Sequence, residues 1–583
     1  MRVFVDLMWF FKAFRRDYLL GAFFLVAVSL LGLIPPEIVG RVVNGLMHHS
    51  LTPAALWRFL ILILVLTICS YGLRYLWRVR LFGGAARLEA LLRDRLYHHF
   101  TRLSPEFYLD HRIGDLMAHA TNDIQAIQDT AGEGILMMVD SVISGVSVVL
   151  TMAIAISWKL TIISLLPLPI MALVISRYGR MLHERFMVAQ EAFSDINDRV
   201  QEYISGIRIV RAFGQEAWER EGFVALSRDV VEKNVAVAKI DSLFDPTISI
   251  IVGFSYFLAV AMGAVYVVRG SMTIGGLTAF TLYLGQLIWP MMAFGFLFNV
   301  MERGSASYDR VSHLLSIEPR VVDRDQSLVE VPRGTLIMTV PRFCYPHTEA
   351  AALRDINLVV KPGTTVGIVG RTGAGKTTLM RLILRQFDLG NGDITIGGTS
   401  IYRYHLDSLR QAIAYAPQDD FLFSMSIRDN IAFQNPAASR QDVERVALMA
   451  GIHEDILRFA DGYETLVGER GVTLSGGQKQ RVSIARALLA DAQILLLDDT
   501  LSAVDAKTEA AILSALRTNR EGRTTVIATH RLSAVEHADD IVVLERGRVV
   551  EQGSHRQLLG LRGRYFEMHR RQQLESLVEW GSV

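Results

Sequence analysis

"VGIVGRTGAGKTTLM", Val366 to Met380, decides how the rest of the chain is read. A short apolar run ends in a glycine-rich turn, and a helix is expected to start at its far side. Gly370 to Thr377 fits the pattern G-x-x-x-x-G-K-[ST], in the strand–loop–helix setting that its chemistry requires. The glycines let successive backbone N–H groups curl around phosphates, Lys376 reaches the terminal phosphates, and the Thr377 hydroxyl can ligate magnesium. The helix dipole adds partial positive charge at the same place. Taken alone, the stretch is also compatible with an ordinary glycine-rich strand-to-helix turn, so its surroundings carry weight.

Outward from it, short runs rich in β-branched residues ("DITI", "AIAYA", "QILLLDD", "TTVIAT", "DIVVLERGRVVEQG") alternate with helical segments. That pattern predicts a mostly parallel sheet covered by helices. Two further elements remove the ambiguity of the loop. "LSGGQKQRVSIARALL" begins at Leu474, and an apolar run ending in two carboxylates, Asp498 and Asp499, follows it.

In this order the motifs resemble those of the ABC transporter family. Gly370 to Thr377 corresponds to Walker A, Leu474, Ser475, Gly476, Gly477 and Gln478 to the signature, and Asp498 to the end of Walker B. "SAVD", Ser502 to Asp505, resembles the D-loop, and His530 in "VIATHRLS" the switch histidine. Tyr345 in "FCYP" is similar to the adenine-stacking aromatic and Gln418 in "APQDDFLF" to the Q-loop glutamine. The resemblance implies ATP bound by Tyr345, Gly370, Arg371, Thr372, Gly373, Ala374, Gly375, Lys376, Thr377, Thr378 and Asp498. It implies Mg2+ held by Thr377, Gln418 and Asp498, and catalytic roles at Gln418, His530 and the position of Asp499.

The first half of the chain has a different character. Of 583 residues, 51% are hydrophobic and only 20% charged, and the mean hydropathy of +0.29 is high for a soluble protein. A net charge of +1 argues against a nucleic-acid binder. Cys69 and Cys344 offer neither a disulfide framework nor a metal-ligand spacing, and leave the redox compartment open. Six apolar stretches approach the roughly 20 residues that a helix needs to cross a bilayer: Tyr18 to Val39, Ala55 to Tyr75, Ile135 to Ile156, Leu160 to Ile175, Thr247 to Val268 and Ile274 to Val300. The fourth is interrupted by "LPLP", Leu166 to Pro169, so its limits are soft.

Long charged, helix-patterned segments separate the second span from the third and the fourth from the fifth. Their Arg87, Arg93, Arg95, Arg102, Arg180, Arg185 and Arg199, with Lys12, Arg15 and Arg16 ahead of the first span, put the amino terminus and both long loops on the cytoplasmic side. A secretory signal peptide is a poor reading of the first span: no small-x-small cleavage site follows, and five more spans do. Pro35-Pro36 and Trp289-Pro290 are expected to kink their helices, which suits either a rearranging part or a merely shaped bundle. Glu37, Asp140 and Gln286 lie in or beside spans and could serve a cavity, an interface or helix pairing.

Six spans followed by one nucleotide-binding domain is the layout of an exporter half-transporter, and the resemblance covers practically the full length. "YLDHRIGDLMAHATNDI" (Tyr108 to Ile124) and "SGIRIVRAFGQE" (Ser205 to Glu216) are similar to the loop ends that carry coupling helices, and Glu469 lies in a loop ahead of the signature with a coupling role in exporters. "IDSLFDPT" and "YLGQLIWPM" resemble subunits of heterodimeric bacterial multidrug exporters of the MdlA and BmrC type. The implied fold is a polytopic α-helical membrane domain, six spans with long cytoplasmic extensions, fused to an α/β P-loop ABC nucleotide-binding domain. The expected limits are 1–318, a linker over 319–335, and 336–583.

One residue departs from the family pattern. After Asp498, glutamate is expected to orient the attacking water, and here Asp499 stands one methylene short. A shortfall on the order of 1 Å can slow a reaction about a hundredfold. The signature, which faces the ATP held by a second subunit, is intact. Together these imply a heterodimer whose partner carries the glutamate, and the resemblance implies export of hydrophobic drugs or lipids across a bacterial inner (plasma) membrane. A homodimeric exporter or lipid flippase is the alternative, and an ABC protein that senses without transporting is a third. The apolar residues of the spans do not identify the transported compound.

Overall fold

The computed structural model describes residues 2–324, 327–468, 471 and 473–581; Glu469 lies outside the described residues. The chain divides into two compact units, one of residues 1–101 with 114–317 and one of residues 102–113 with 318–583.

The first unit is helical. Among the described residues five helical stretches are long and apolar enough to cross a membrane by length and composition: Arg15–Met47, Pro53–Arg102, Ile113–Leu165, Glu216–Val268 and Ile274–Ser316. The fourth expected span is divided instead. Ser157 is extended (φ −163°, ψ 116°), and its hydroxyl accepts from the Leu160 N–H at 3.4 Å to start the helix Trp158–Leu165. At the "LPLP" stretch the chain turns, and a new helix runs from Leu168 to Ser205. Pro167 and Pro169 have no N–H with which to continue the preceding ladder.

Both expected kinks are helix breaks. The first helix stops at Leu31 and resumes at Ile34, with Pro35 and Pro36 in its first turn, where their missing N–H groups cost nothing. The last span breaks between Gln286 and Ile288, just ahead of Pro290. The two breaks meet: the Gln286 amide donates to the Gly32 carbonyl at 3.0 Å, and the Tyr283 hydroxyl donates to the Leu33 carbonyl. Carbonyls freed by a helix break need donors where water is scarce, so Gln286 serves helix pairing. Glu37 pairs with Arg41 one turn on, and Asp140 meets the Trp289 indole. The helices carrying Gly40 and Gly275 touch at backbone distance, since a Cβ on Gly275 would overlap the Gly40 carbonyl. Asn44 fastens that contact by accepting from the Gly275 N–H at 2.8 Å.

The helical stretch from Ile113 to the break at Ser157 contains four π-helical turns, at His119–Asp123, Thr130–Gly134, Asp140–Ser144 and Met152–Ser157. One of them presents Thr130, whose hydroxyl donates to the Val300 carbonyl of the last span at 3.1 Å.

The second unit is α/β. Its strands are β1 (Leu336–Cys344), β2 (Ala351–Val360), β3 (Thr365–Val369), β4 (Asp393–Ile396), β5 (Thr399–Ser400), β6 (Ile413–Ala416), β7 (Ile494–Asp498), β8 (Thr524–Thr529), β9 (Asp540–Glu545) and β10 (Arg548–Gly553). A four-stranded sheet has the order β2-β1-β4-β5 and a six-stranded sheet the order β10-β9-β3-β8-β7-β6. In the larger sheet β9, β3, β8, β7 and β6 run parallel. Every residue of β7 and β8 is buried, the signature of a strand covered on both faces. Carboxyl ends of parallel strands collect ligands in such sheets; β3, β7 and β8 end at Val369, Asp498 and Thr529, with Gly370 and His530 the next residues after β3 and β8. The short helix Pro105–Asp110 belongs to this unit: Glu106 pairs with Arg320, and Asp110 lies 3.1 Å from His347, two residues beyond Tyr345.

Candidate functional site

The turn after β3 is built for an anion. Gly373 and Gly375 have φ of +80° and +106°, a region closed to most side chains. A Cβ on Gly375 would also lie 2.8 Å from Leu353 and 3.0 Å from the Ala352 carbonyl. The helix Lys376–Ile383 starts directly behind. Lys376 Nζ donates to the Gly370 carbonyl at 2.8 Å and the Arg371 carbonyl at 3.3 Å, so its charge is folded back over the loop. Burial pushes that ammonium down from its ordinary pKa, while Asp499 and Asp498 hold it up.

Facing the loop, β7 ends at Asp498. One carboxylate oxygen accepts from the Thr377 hydroxyl at 3.1 Å and the other from the Tyr415 hydroxyl at 3.2 Å. Burial raises the pKa of this carboxyl and Asp499 adds to the effect, against the hydrogen bonds from Thr377 and Tyr415. Two hard oxygens at the head of the helix Lys376–Ile383 suit Mg2+. Gln418 stands exposed just beyond β6, and no hydrogen bond among the described residues ties it to this pair. Tyr345 is half-buried between Phe343 and Phe387, and its hydroxyl donates to Thr378 at 3.1 Å. Arg371 and Thr372 are exposed on the rim of the loop, and Ala374 is buried beneath it.

Asp499 leaves β7 with φ +53°, its N–H donating to the Ala528 carbonyl at 2.8 Å. Its carboxylate oxygens lie 2.9 and 3.1 Å from His530 Nδ1. An ionised carboxylate only accepts, so that contact puts the imidazole proton on Nδ1.

Ser475 caps the helix Gly476–Leu489 in a capping box with Gln478. Leu474 is buried, whereas Ser475 and Gly476 are exposed. The signature helix and the D-loop form one block. Gln480 donates to the Ser502 hydroxyl at 3.1 Å and accepts from the Ala503 N–H at 2.9 Å. A Cβ on Gly477 would approach the Ala503 carbonyl to 2.8 Å.

Three residues here escaped the sequence reading. Tyr415 could have been suspected from β6 pairing beside Walker B, and Gln480 from its place one helical turn past Gly476. Gln572, which donates to the His530 carbonyl at 2.6 Å and accepts from the Leu532 N–H at 3.0 Å, had no local signal.

Asp420 lies two residues past Gln418, half-buried, and burial pushes its carboxyl up to about 7. Its folded pKa is raised above the unfolded value of 3.8. The folded chain therefore holds the proton more tightly, giving stability that is complete below that value and is lost as pH rises through about 7. Between about pH 5 and about pH 7 the loss is about 2 kcal/mol. Thermal unfolding of wild type and Asp420→Asn should show it as a falling difference over that window and a flat difference above it. Parallel profiles would contradict it.

Known proteins match along the whole chain. The family described as "ABC transporter transmembrane region" matches residues 18–291 and that described as "ABC transporter" matches residues 353–502. The "Multidrug resistance-like ATP-binding protein MdlA" of Escherichia coli (strain K12) is 46% identical over 579 residues, 99% of this chain and 98% of that protein. The "Probable multidrug resistance ABC transporter ATP-binding/permease protein YheI" of Bacillus subtilis (strain 168) is 46% identical over 574 residues, 98% of each. Among solved structures, a bacterial Atm1-family ABC exporter with ATP bound superposes with a TM-score of 0.80 at 28% identity, covering 96% of this chain and 98% of that one.

Proposed function

The chain belongs to the ABC exporter family, and on that premise we propose that it is one half of a heterodimeric exporter in which its own Walker site is the slow one. It is a multi-pass membrane protein of the kind that couples ATP hydrolysis to transport. In the reading proposed here, residues 1–318 form the transmembrane domain, 319–335 a linker and 336–583 the nucleotide-binding domain. Hydrophobic compounds are the substrates, and a bacterial inner membrane the location. The amino terminus and nucleotide domain face the cytoplasm, on the side to which the basic residues of the long loops assign them.

The observation that carries the reading is Asp499 at the position of the catalytic glutamate, beside an intact signature. ATP would lie on the loop from Gly370 to Thr378, its adenine on Tyr345, its charge met by Lys376 and by the backbone N–H groups of the turn. Mg2+, held by Thr377, Asp498 and Gln418, would neutralise charge between the phosphates. Asp499 is the group left to orient water, and its carboxylate is already engaged by His530. This site binds firmly and turns over slowly. Ser475, Gly476 and Gly477 serve the ATP held by the partner, where glutamate completes the machinery. Closure of the two nucleotide domains around ATP drives the two-state switch from inward-facing to outward-facing.

Steady-state ATP hydrolysis in lipid, by the chain alone and with the product of a neighbouring reading frame, tests this. Lys376→Ala provides the blank. Activity near the blank when alone, restored by the partner, is the expected result. Brisk turnover by the chain alone would replace the heterodimer with a homodimer.

A further inference from the structure

Away from the nucleotide site, three metal-ligating side chains from three separate elements converge at the end of the second unit. Glu536 follows the turn Leu532–Ala534, His555 opens the helix His555–Leu561, and His569 lies on the C-terminal helix Arg564–Gly581. One ligand atom from each lies within 4.8 Å of the other two. His569 Nε2 is 3.6 Å from a Glu536 oxygen, and the rings of His555 and His569 are 5.5 Å apart.

The surroundings are those of a held ligand set. His555 Nδ1 lies 2.7 Å from the hydroxyl of Tyr565, which is fully buried. An Nδ1–H donated to that oxygen fixes the tautomer and leaves Nε2 with its lone pair, as a partner behind a metal-bound histidine does. Glu551 accepts from the N–H groups of Arg564 and Tyr565, anchoring the start of the helix that carries His569. His569 is largely buried and Glu536 about one-third exposed, so an ion has an entry path.

We propose that Glu536, His555 and His569 bind one divalent transition-metal ion of the Zn2+ class, with an open fourth position. Two imidazoles and one carboxylate suit such borderline ions over Mg2+ or Ca2+. Ligand atoms in a filled tetrahedral site stand about 3.3 Å apart, so the three must draw in by about 1 Å. That movement has a direction. The helix bearing His569 also bears Gln572, which holds the backbone on both sides of Arg531, at His530 and Leu532, and Glu536 ends the same segment. A filled site therefore clamps the C-terminal helix onto the chain that follows the switch histidine.

The test uses the full chain in lipid nanodiscs, free of any histidine tag and stripped with chelator, titrated with Co2+ by visible absorption and with Zn2+ by equilibrium dialysis. Wild type should bind one equivalent at micromolar metal with a tetrahedral Co2+ band. His569→Gln and Glu536→Gln should each weaken binding by at least about tenfold, while exposed His183→Gln keeps it. Retained ATP binding by the variants shows that they are folded. Zn2+ should slow hydrogen exchange over residues 530–536 in wild type and not in His569→Gln. Absence of the stoichiometric Co2+ band, or unchanged affinity in His569→Gln, overturns the site. Binding without slowed exchange overturns the clamp.

Discussion

Replacing Asp499 by glutamate is expected to raise ATP hydrolysis at this chain's own Walker site about a hundredfold. The substituted position directly follows β7 and is fixed from two sides, by the hydrogen bond to the Ala528 carbonyl and by the left-handed backbone at φ +53°. The backbone therefore does not shift to compensate for a short side chain, and the extra methylene becomes reach toward the water. A hundredfold corresponds to about 2.7 kcal/mol of transition-state stabilisation. The left-handed region favours aspartate over glutamate, so a small fall in melting temperature should accompany the gain. Single-turnover hydrolysis in an assembly whose partner carries glutamine for its glutamate isolates the site. Equal rates for the wild-type chain and the Asp499→Glu variant in that background would mean that carboxylate length is not what slows this site.

Gly477→Ala is expected to lower turnover of the assembly about tenfold while leaving nucleotide binding by this chain intact. The new methyl would stand 2.8 Å from the Ala503 carbonyl, inside van der Waals contact, and neither side can yield alone. Gln480 binds the D-loop at both Ser502 and Ala503, and the Ser475–Gln478 box fixes the start of the signature helix. The block must open by about 0.6 Å to restore ordinary contact, displacing donors that the proposed reading aims at a second subunit's ATP, and a misplacement of about half an ångström carries a factor of about ten. Fluorescent-nucleotide binding to this chain reports its own Walker site, which the methyl does not touch. Turnover within a few-fold of wild type would show that the block is more compliant than these contacts imply.

What was legible in the sequence and what was not divides by distance along the chain. The phosphate loop could be read because its chemistry is fixed by spacing over eight consecutive residues, Gly370 to Thr377. Asp499 could be read as a departure, but not that it would sit in a left-handed turn with its carboxylate on His530, which depends on β7 lying beside β8. Tyr415, Gln480 and Gln572 act through partners distant in sequence, and periodicity carries no trace of such pairs. In the membrane half, Pro35-Pro36 and Pro290 announced interruptions, yet nothing announced that Gln286 and Tyr283 would satisfy the carbonyls freed at the other break. The fourth span was the least distinct in the sequence, and it is the one that the structure divides at "LPLP".

The four π-helical turns between His119 and Ser157 carry a consequence for how the chain tolerates changes in length. Each such turn absorbs one residue beyond the α-helical count, and each added residue advances the facing of all that follows by about 100°. Together they amount to about 400°, little more than one revolution. The two ends of the helix thus keep nearly the mutual facing of an uninterrupted α-helix, although the stretch between them does not. Deleting the extra residue of one such turn would leave an α-helical turn in its place, with the residues on either side still facing their present neighbours. In this helix, a gap in the gene can be taken up by a bulge before it becomes a rotation of the protein.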